Sequence, residues 1–144
     1  MKTIVKRAFS LIEIIFVIAI ISIVLIVAIP KLGNTLNNAN TNKIKSDILL
    51  IREGLNNYKN KMILQGSTTT LESLEENDTY LFSKILQNPI YSSEKPKIGS
   101  WCKISNTSYR VYIENGDSVE FVYDNDDYSF DCDDDNLFCQ ELTQ

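Results

Sequence analysis

The sequence contains no histidine. That absence removes the commonest general base and the commonest zinc ligand. Cysteine is scarce: Cys102, Cys132 and Cys139 are the only three, all in the last third of the 144 residues. Basic charge is also short, with fourteen Lys and Arg against nineteen Asp and Glu, a formal net charge of -5. Three of the fourteen (Lys2, Lys6 and Arg7) fall in the first eight residues, which hold no acid. The remainder therefore carries eleven basic and nineteen acidic groups, a net of -8. An outer domain so acidic is a poor nucleic-acid binder, because affinity for phosphate backbones comes mainly from Lys and Arg. No nucleophile–base arrangement and no phosphate loop is present, so the pattern offers no reading as an enzyme. There is no internal repeat.

What the chain does have is a long apolar run. From Phe9 to Ile29 the only polar side chains are Ser10, Glu13 and Ser22. As a helix this run spans roughly 31 Å at about 1.5 Å per residue. A bilayer core is about 30 Å thick, so the run is long enough to cross it once. Basic residues precede it within a turn and only Lys31 follows closely, which places Met1 to Ala8 in the cytoplasm and the rest outside. A cleaved secretory signal has a shorter apolar stretch, of about 7–15 residues, and a small-x-small site after it. Here the run ends Val27-Ala28-Ile29-Pro30, which is not that site.

Glu13 is the informative residue. A carboxylate on a membrane helix costs a few kcal/mol near the centre and less near an edge. A plain anchor gains nothing from it. Its natural partner is an exposed α-amino group at the start of its own helix or of an identical neighbour, and that amine exists only if the chain is cut just before the apolar run. The residues there read Lys6-Arg7-Ala8-Phe9-Ser10-Leu11-Ile12-Glu13. From Lys6 to about Pro30 the sequence resembles the type IV pilin and pseudopilin superfamily, whose precursors carry a basic leader, a small residue and then Phe-Thr-Leu-Ile-Glu. Ala8 stands where glycine is usual, and Ser10 where threonine is usual. The resemblance implies cleavage between Ala8 and Phe9 by a membrane peptidase acting on the cytoplasmic face, with N-methylation of Phe9. Glu13 of one subunit then neutralises the Phe9 amine of another, a pairing that fixes register between subunits. The aliphatic stripe of Leu11, Ile14, Ile15, Ile18, Leu25 and Ile26 holds lipid before assembly and other helices after it.

Pro30 removes a backbone donor and is expected to kink the helix. Beyond it the apolar residues thin to a stripe of Leu32, Leu36, Ile44, Ile48, Ile51, Leu55, Tyr58 and Met62, the spacing of an amphipathic helix. Gly33 and Gly54 each weaken that helix by about 1 kcal/mol, and Gly66 is its expected end. The stripe reads as core covering a sheet, with a partner-binding face as the lesser reading. Residues 67–79 read as loop, Leu81 to Leu86 as a second short helix stopped by Asn88-Pro89, and 92–100 as loop. After Trp101 the period becomes two. Tyr109, Val111 and Ile113 share one face of a strand, Asn115-Gly116 signals a hairpin, and Val119, Phe121 and Tyr123 share one face of the next. A further strand covers Tyr128 to Cys132. The result is an α+β domain, a long N-terminal helix packed on an antiparallel meander of three or four strands, which is also the fold the resemblance implies. The domain plan is a leader at 1–8, a transmembrane and assembly helix at 9–29, and a periplasmic globular domain at 30–144.

An outward-facing domain meets an oxidising compartment, so a disulfide is expected. Cys132 and Cys139 bracket a short loop and are the first choice, and such a closure stabilises by about 2.5 kcal/mol in the chain-entropy view. Cys102 with either of them is the alternative. Asp124, Asp126, Asp127 and Asp131 are candidate oxygen ligands for Ca²⁺, and some pseudopilins bind Ca²⁺ in a loop near the C-terminus. The loop glycine and twelfth-position glutamate of an EF-hand are absent, and a solvated acidic surface is the plainer reading. No other cofactor is implied.

The function expected is that of a structural pseudopilin, polymerising with itself and other pseudopilins into the pseudopilus of a type II secretion or DNA-uptake machine. A pilin of a type IV pilus is the neighbouring possibility, and a membrane-anchored periplasmic binding module is the reading from another class. The implied partners are the prepilin peptidase, an inner-membrane platform protein and, before assembly, membrane lipid, with no direct contact to nucleic acid. Pseudopilins at a fibre tip often lack the glutamate, so Glu13 favours a place within the shaft.

Overall fold

The computed structural model describes residues 10–67 and 69–143; the side chains of residues 30–37 and of Asn115 lie outside that description. The chain divides into two compact units, Met1–Asn37 and Asn38–Gln144. Helix α1, Leu11–Leu64, contributes to both. Strands β1 (Tyr80–Leu81) and β2 (Ile90–Tyr91) form a two-stranded antiparallel ribbon. Strands β3 (Trp101–Lys103), β4 (Ser108–Tyr112), β5 (Ser118–Asp124) and β6 (Ser129–Cys132) form an antiparallel meander in that order, and helix α2 (Leu137–Thr143) follows. The architecture is the expected α+β one.

In the outer unit, period-3.6 and period-2 patterns meet face to face. Ile44, Ile48, Ile51 and Leu55 of α1 are all fully buried, because their spacing keeps them on one side of the helix. Opposite them, Tyr109 and Val111 of β4 and Val119, Phe121 and Tyr123 of β5 point inward while their neighbours point out. Tyr58 and Met62, at the far end of the stripe, are half-buried. The Nε1–H of Trp101 donates to Asp47 at 3.0 Å, and Lys43 donates to the Gly99 carbonyl at 2.8 Å, so α1 is tied to β3 by polar as well as apolar contacts. The helix stops where Gly66 adopts φ +63°. The N–H of Ser67 reaches the Met62 carbonyl at 3.0 Å and that of Gly66 the Ile63 carbonyl at 3.1 Å, which satisfies the last turn. The hairpin between β4 and β5 closes through a 3-10 turn, Glu114–Gly116, with Gly116 at φ +83°.

One local expectation fails, and one element carries no signal in the sequence. Residues 81–86 are not a helix. Phe82 takes φ +61° and sits at the centre of the core, with ring centroids 4.6 Å from Tyr109, 5.7 Å from Phe130 and 5.9 Å from Trp101. A left-handed residue costs of order 1–3 kcal/mol, and three aromatic contacts at about 0.5–1.5 kcal/mol each offset it. What remains of the helix is one turn, in which the Ile85 and Leu86 N–H groups donate to the Phe82 carbonyl. Helix α2 follows directly on an Asp-rich run with no helical periodicity of its own. Asn136 caps it by accepting from the Phe138 N–H at 2.9 Å, and Cys139 and Leu142 bury its inner face.

Gly54 is more than a weak point in α1. A Cβ there meets the Ile85 carbonyl oxygen at 2.8 Å and the Ile85 Cβ at 3.3 Å. Propensity alone makes Gly54→Ala stabilising by about 1 kcal/mol. The clash with a backbone atom reverses the sign: Gly54→Ala is expected to destabilise the outer unit by about 1–3 kcal/mol in chemical denaturation. A stabilised variant would show that the 84–88 segment is not seated on α1.

Candidate functional site

The N-terminal segment is chemically the most unusual part of the molecule. Leu11–Ile29 forms a helix long and apolar enough to cross a membrane, and no residue of it is buried. Fifteen large hydrophobic side chains between Leu11 and Ile29 stand open, among them Leu11 at 77 % and Ile12 at 74 %. The helix starts by using the Ser10 carbonyl, which accepts from the Glu13 N–H at 3.0 Å and the Ile14 N–H at 3.3 Å. Glu13 lies in the first turn, where a negative charge complements the helix dipole. Its carboxylate is exposed and has no partner among the described residues. Ser22, by contrast, is satisfied inside the helix, donating to the Ile18 carbonyl at 2.7 Å. Of the polar side chains from Leu11 to Ile29, Glu13 is therefore the one left without a partner among the described residues. Pro30 stands within α1, which continues past it. Ala8 and Phe9 lie outside the described residues.

Residues 5–29 match the family model described as the prokaryotic N-terminal methylation motif. That motif is the signature of the type IV pilin and pseudopilin superfamily, and the fold, a long apolar-to-amphipathic helix with a small antiparallel sheet, agrees with it. Over those residues the chain is similar to type IV pilin-like substrates of the prepilin peptidase, and its apolar helix suits single-pass membrane anchoring. No curated protein and no solved structure gives a match.

In the outer unit Cys132 and Cys139 are joined, with Cα atoms 5.8 Å apart, and Cys102 is free. The Cys102 thiol is half-buried, its Sγ 3.8 Å from the Tyr112 hydroxyl. The acidic residues are engaged locally rather than gathered. Asp124 Oδ1 accepts the N–H groups of Asp126 at 2.8 Å and Asp127 at 3.4 Å, shaping the β5–β6 turn. Asp131 accepts from Arg52 at 2.6 Å, and the Arg52 Nε–H also reaches the Phe130 carbonyl at 3.0 Å. Among the described residues no group of three or more His, Cys, Asp or Glu is placed to hold a metal ion.

One polar cluster was invisible in the sequence. Glu75, in what reads as loop, is buried at 4 % exposure. Its carboxylate accepts from the Tyr109 hydroxyl at 2.7 Å and the Ser73 hydroxyl at 2.6 Å, and pairs with Lys103 at 2.9 Å. Lys103 also pairs with Asp78 at 2.8 Å. A buried charge is tolerated only with this kind of satisfaction. Burial pulls the Lys103 ammonium down, but Asp78 and Glu75 outweigh it and hold its pKa above the ordinary lysine value. Burial first, and then the Glu75 carboxylate, push the Tyr109 phenol well above the ordinary tyrosine value. Nothing local in Ser73-Leu74-Glu75 announces this role, because the partners come from β3 and β4.

Tyr123 is the counter-case. Its hydroxyl is buried with no hydrogen-bond partner among the described residues. Burial, then Tyr128, Tyr58 and Asp124, push its pKa up to about 12. A tyrosine whose pKa is raised on folding contributes stability that is intact below the unfolded value, about 10, and lost as pH rises towards the folded value. The outer unit is therefore expected to lose stability between about pH 10 and pH 12. Tyr123→Phe should be neutral or stabilising by up to about 1 kcal/mol at pH 7, with a shallower alkaline decline, the residual slope coming from Tyr109. Denaturant midpoints measured across that window check both points; an unchanged alkaline slope would show that Tyr123 does not titrate there.

Proposed function

We propose that the protein is a pseudopilin of the shaft type, a subunit of the short envelope fibre that drives a type II secretion or DNA-uptake machine. The observation that carries the reading is the methylation motif at residues 5–29 with Glu13, unpaired among the described residues, on an apolar helix none of whose residues from Leu11 to Ile29 is buried. In this reading the peptidase cuts between Ala8 and Phe9 and methylates the new Phe9 amine. That amine is a cation at the head of an apolar helix, and Glu13 of a neighbouring subunit is its anion. The pair forms where water is excluded, so its Coulomb term is large, but each charge also loses hydration. Its use is register: a subunit one turn out of place leaves both charges uncompensated in an apolar setting, at a cost of several kcal/mol.

The orientation follows the positive-inside rule, with Lys2, Lys6 and Arg7 cytoplasmic and the outer unit in the periplasm. The acidic outer unit supports a structural place in the fibre over direct capture of nucleic acid. A pilin of a surface pilus uses the same N-terminal chemistry; fibres confined to the envelope support the pseudopilin, and long surface fibres support the pilus.

Two measurements test the assembly reading. With the cognate peptidase present, intact-mass analysis is expected to find a mature chain starting at N-methylated Phe9, and a chain retaining Met1 would sink the reading. Glu13→Ala is expected to be processed normally yet to enter fibres at least about tenfold less well, since loss of a buried partner costs more than about 1.4 kcal/mol. Undiminished incorporation of that variant would refute the pairing with the Phe9 amine.

A further inference from the structure

The outer unit carries a groove that nothing so far uses. It is an open cleft of about 640 Å³ between α1 and the 84–88 segment. Leu50, Ile85 and Leu86 give its lining an apolar part, and Leu50 is 53 % exposed. Two lysines, Lys61 and Lys84, and one acid, Glu53, stand along it, and all three are exposed. Lys84 gives one hydrogen bond to the Ser73 carbonyl at 3.0 Å, and Lys61 has no partner among the described residues. The cleft exists because Gly54 lets the Ile85 backbone close on the helix, leaving the side chains on either side to form the walls.

A shape of opposite character is built elsewhere on the same unit. The Cys132–Cys139 bridge closes a loop bearing Asp133, Asp134 and Asp135, all exposed, with Leu137 78 % exposed beyond them. The loop is held from within: the Asp135 N–H donates to Asp133 Oδ1 at 3.0 Å, and Gln140 Nε2 donates to the Asp134 carbonyl at 2.8 Å. An exposed leucine beside three carboxylates on a cross-linked loop complements an apolar cleft flanked by two ammonium groups. Pre-organisation by the disulfide lowers the ordering cost of such a contact.

The cleft and strand β6, from which the loop continues, meet α1 on different flanks. The loop continues directly from β6, which meets the helix at Arg52. The cleft is lined by Gly54, Asn57 and Lys61. At roughly 100° per residue, these three lie about 140–200° round the helix from Arg52. Two different surfaces joined between successive copies make a heterologous contact, which repeats as an open array unless the rotation closes it.

We propose that the cleft of one copy receives the Asp133–Leu137 loop of the next, with Leu137 on the Leu50, Ile85 and Leu86 floor and the aspartates against Lys61 and Lys84. The inference rests on the assembly reading above and gives the disulfide a task in it, the shaping of a subunit contact. The test uses the full chain in cells that hold the assembly machinery. A benzophenone amino acid is placed at Leu137 in one tagged copy, and the photoproduct with a differently tagged copy is mapped by mass spectrometry. Crosslinks are expected on the 50–61 and 84–88 peptides of the second copy. Lys61→Glu with Lys84→Glu in the receiving copy should cut the yield about tenfold, and Asp134→Lys with Asp135→Lys in the donor should restore it. All four side chains are exposed, and unchanged thermal midpoints for the variants confirm intact folding. Absence of the crosslink, its appearance on another protein or on the same loop of a second copy, or a yield indifferent to charge reversal overturns the contact. N-terminal mass in the same sample separates the two ideas. Methylated Phe9 without the crosslink overturns the contact alone, Met1 with the crosslink overturns the assembly reading alone, and Met1 without it overturns both.

Discussion

From Leu11 to Ile29 no residue is buried among the described residues. Burying apolar surface is worth about 25 cal/mol per Å², so covering a segment this long and this bare, by lipid or by other helices, is strongly favourable. The rest of the molecule accommodates that demand. The backbone is helical, which keeps every interior N–H and C=O paired without water, and Ser22 folds its hydroxyl back onto Ile18. Glu13 is the one charged side chain from Leu11 to Ile29, and it stands in the first turn, where a carboxylate on a membrane helix costs less than at its centre. A helix satisfied in lipid except at one charged point can leave lipid for a partner that meets the charge.

The outer unit solves a different problem with the same helix. From Ile44 onward α1 needs only one apolar side, because the sheet supplies the other half of the core. The small meander is closed by aromatic rings more than by aliphatic ones: Phe82, Trp101, Phe121 and Phe130 pack on one another with centroids between 5.2 and 6.1 Å. Rings of that size fill the space between a single helix and four short strands with few residues. The loop that delivers Phe82 is anchored on its other side by Glu75, whose three partners make burial of its charge tolerable.

These features were not equally legible. The apolar run, the Ile44–Leu55 stripe and the β4–β5 alternation are periodic, and a period survives translation into structure because backbone geometry imposes it. The end of α1 was readable at Gly66 because a left-handed C-cap favours glycine. Residues 81–86 misled because Leu81, Phe82, Ile85 and Leu86 have helical spacing, while tertiary contacts at Phe82 decide the conformation. Glu75 looked like a loop acid because its partners, Lys103 and Tyr109, come from distant strands. Helix α2 stayed hidden because its seven residues are held by burial of Cys139 and Leu142 and by a covalent bridge, and neither has a local signature. The cleft was likewise unreadable: Gly54 reads as a defect until the Ile85 carbonyl is seen against it.

The proposed contacts at Glu13 and at the cleft differ in the medium that surrounds them, and the difference gives them different work. A charge pair inside an apolar layer is little affected by salt and costly to misplace, so it suits the setting of register. A leucine in an open cleft with solvated ions around it is weak and screened beyond about 8 Å at physiological ionic strength, so it suits adjustment of how neighbouring outer units meet. In a fibre built on both proposed contacts, the membrane-depth pair would select subunits in register, and the surface contact would stay weak enough for each addition to be reversed.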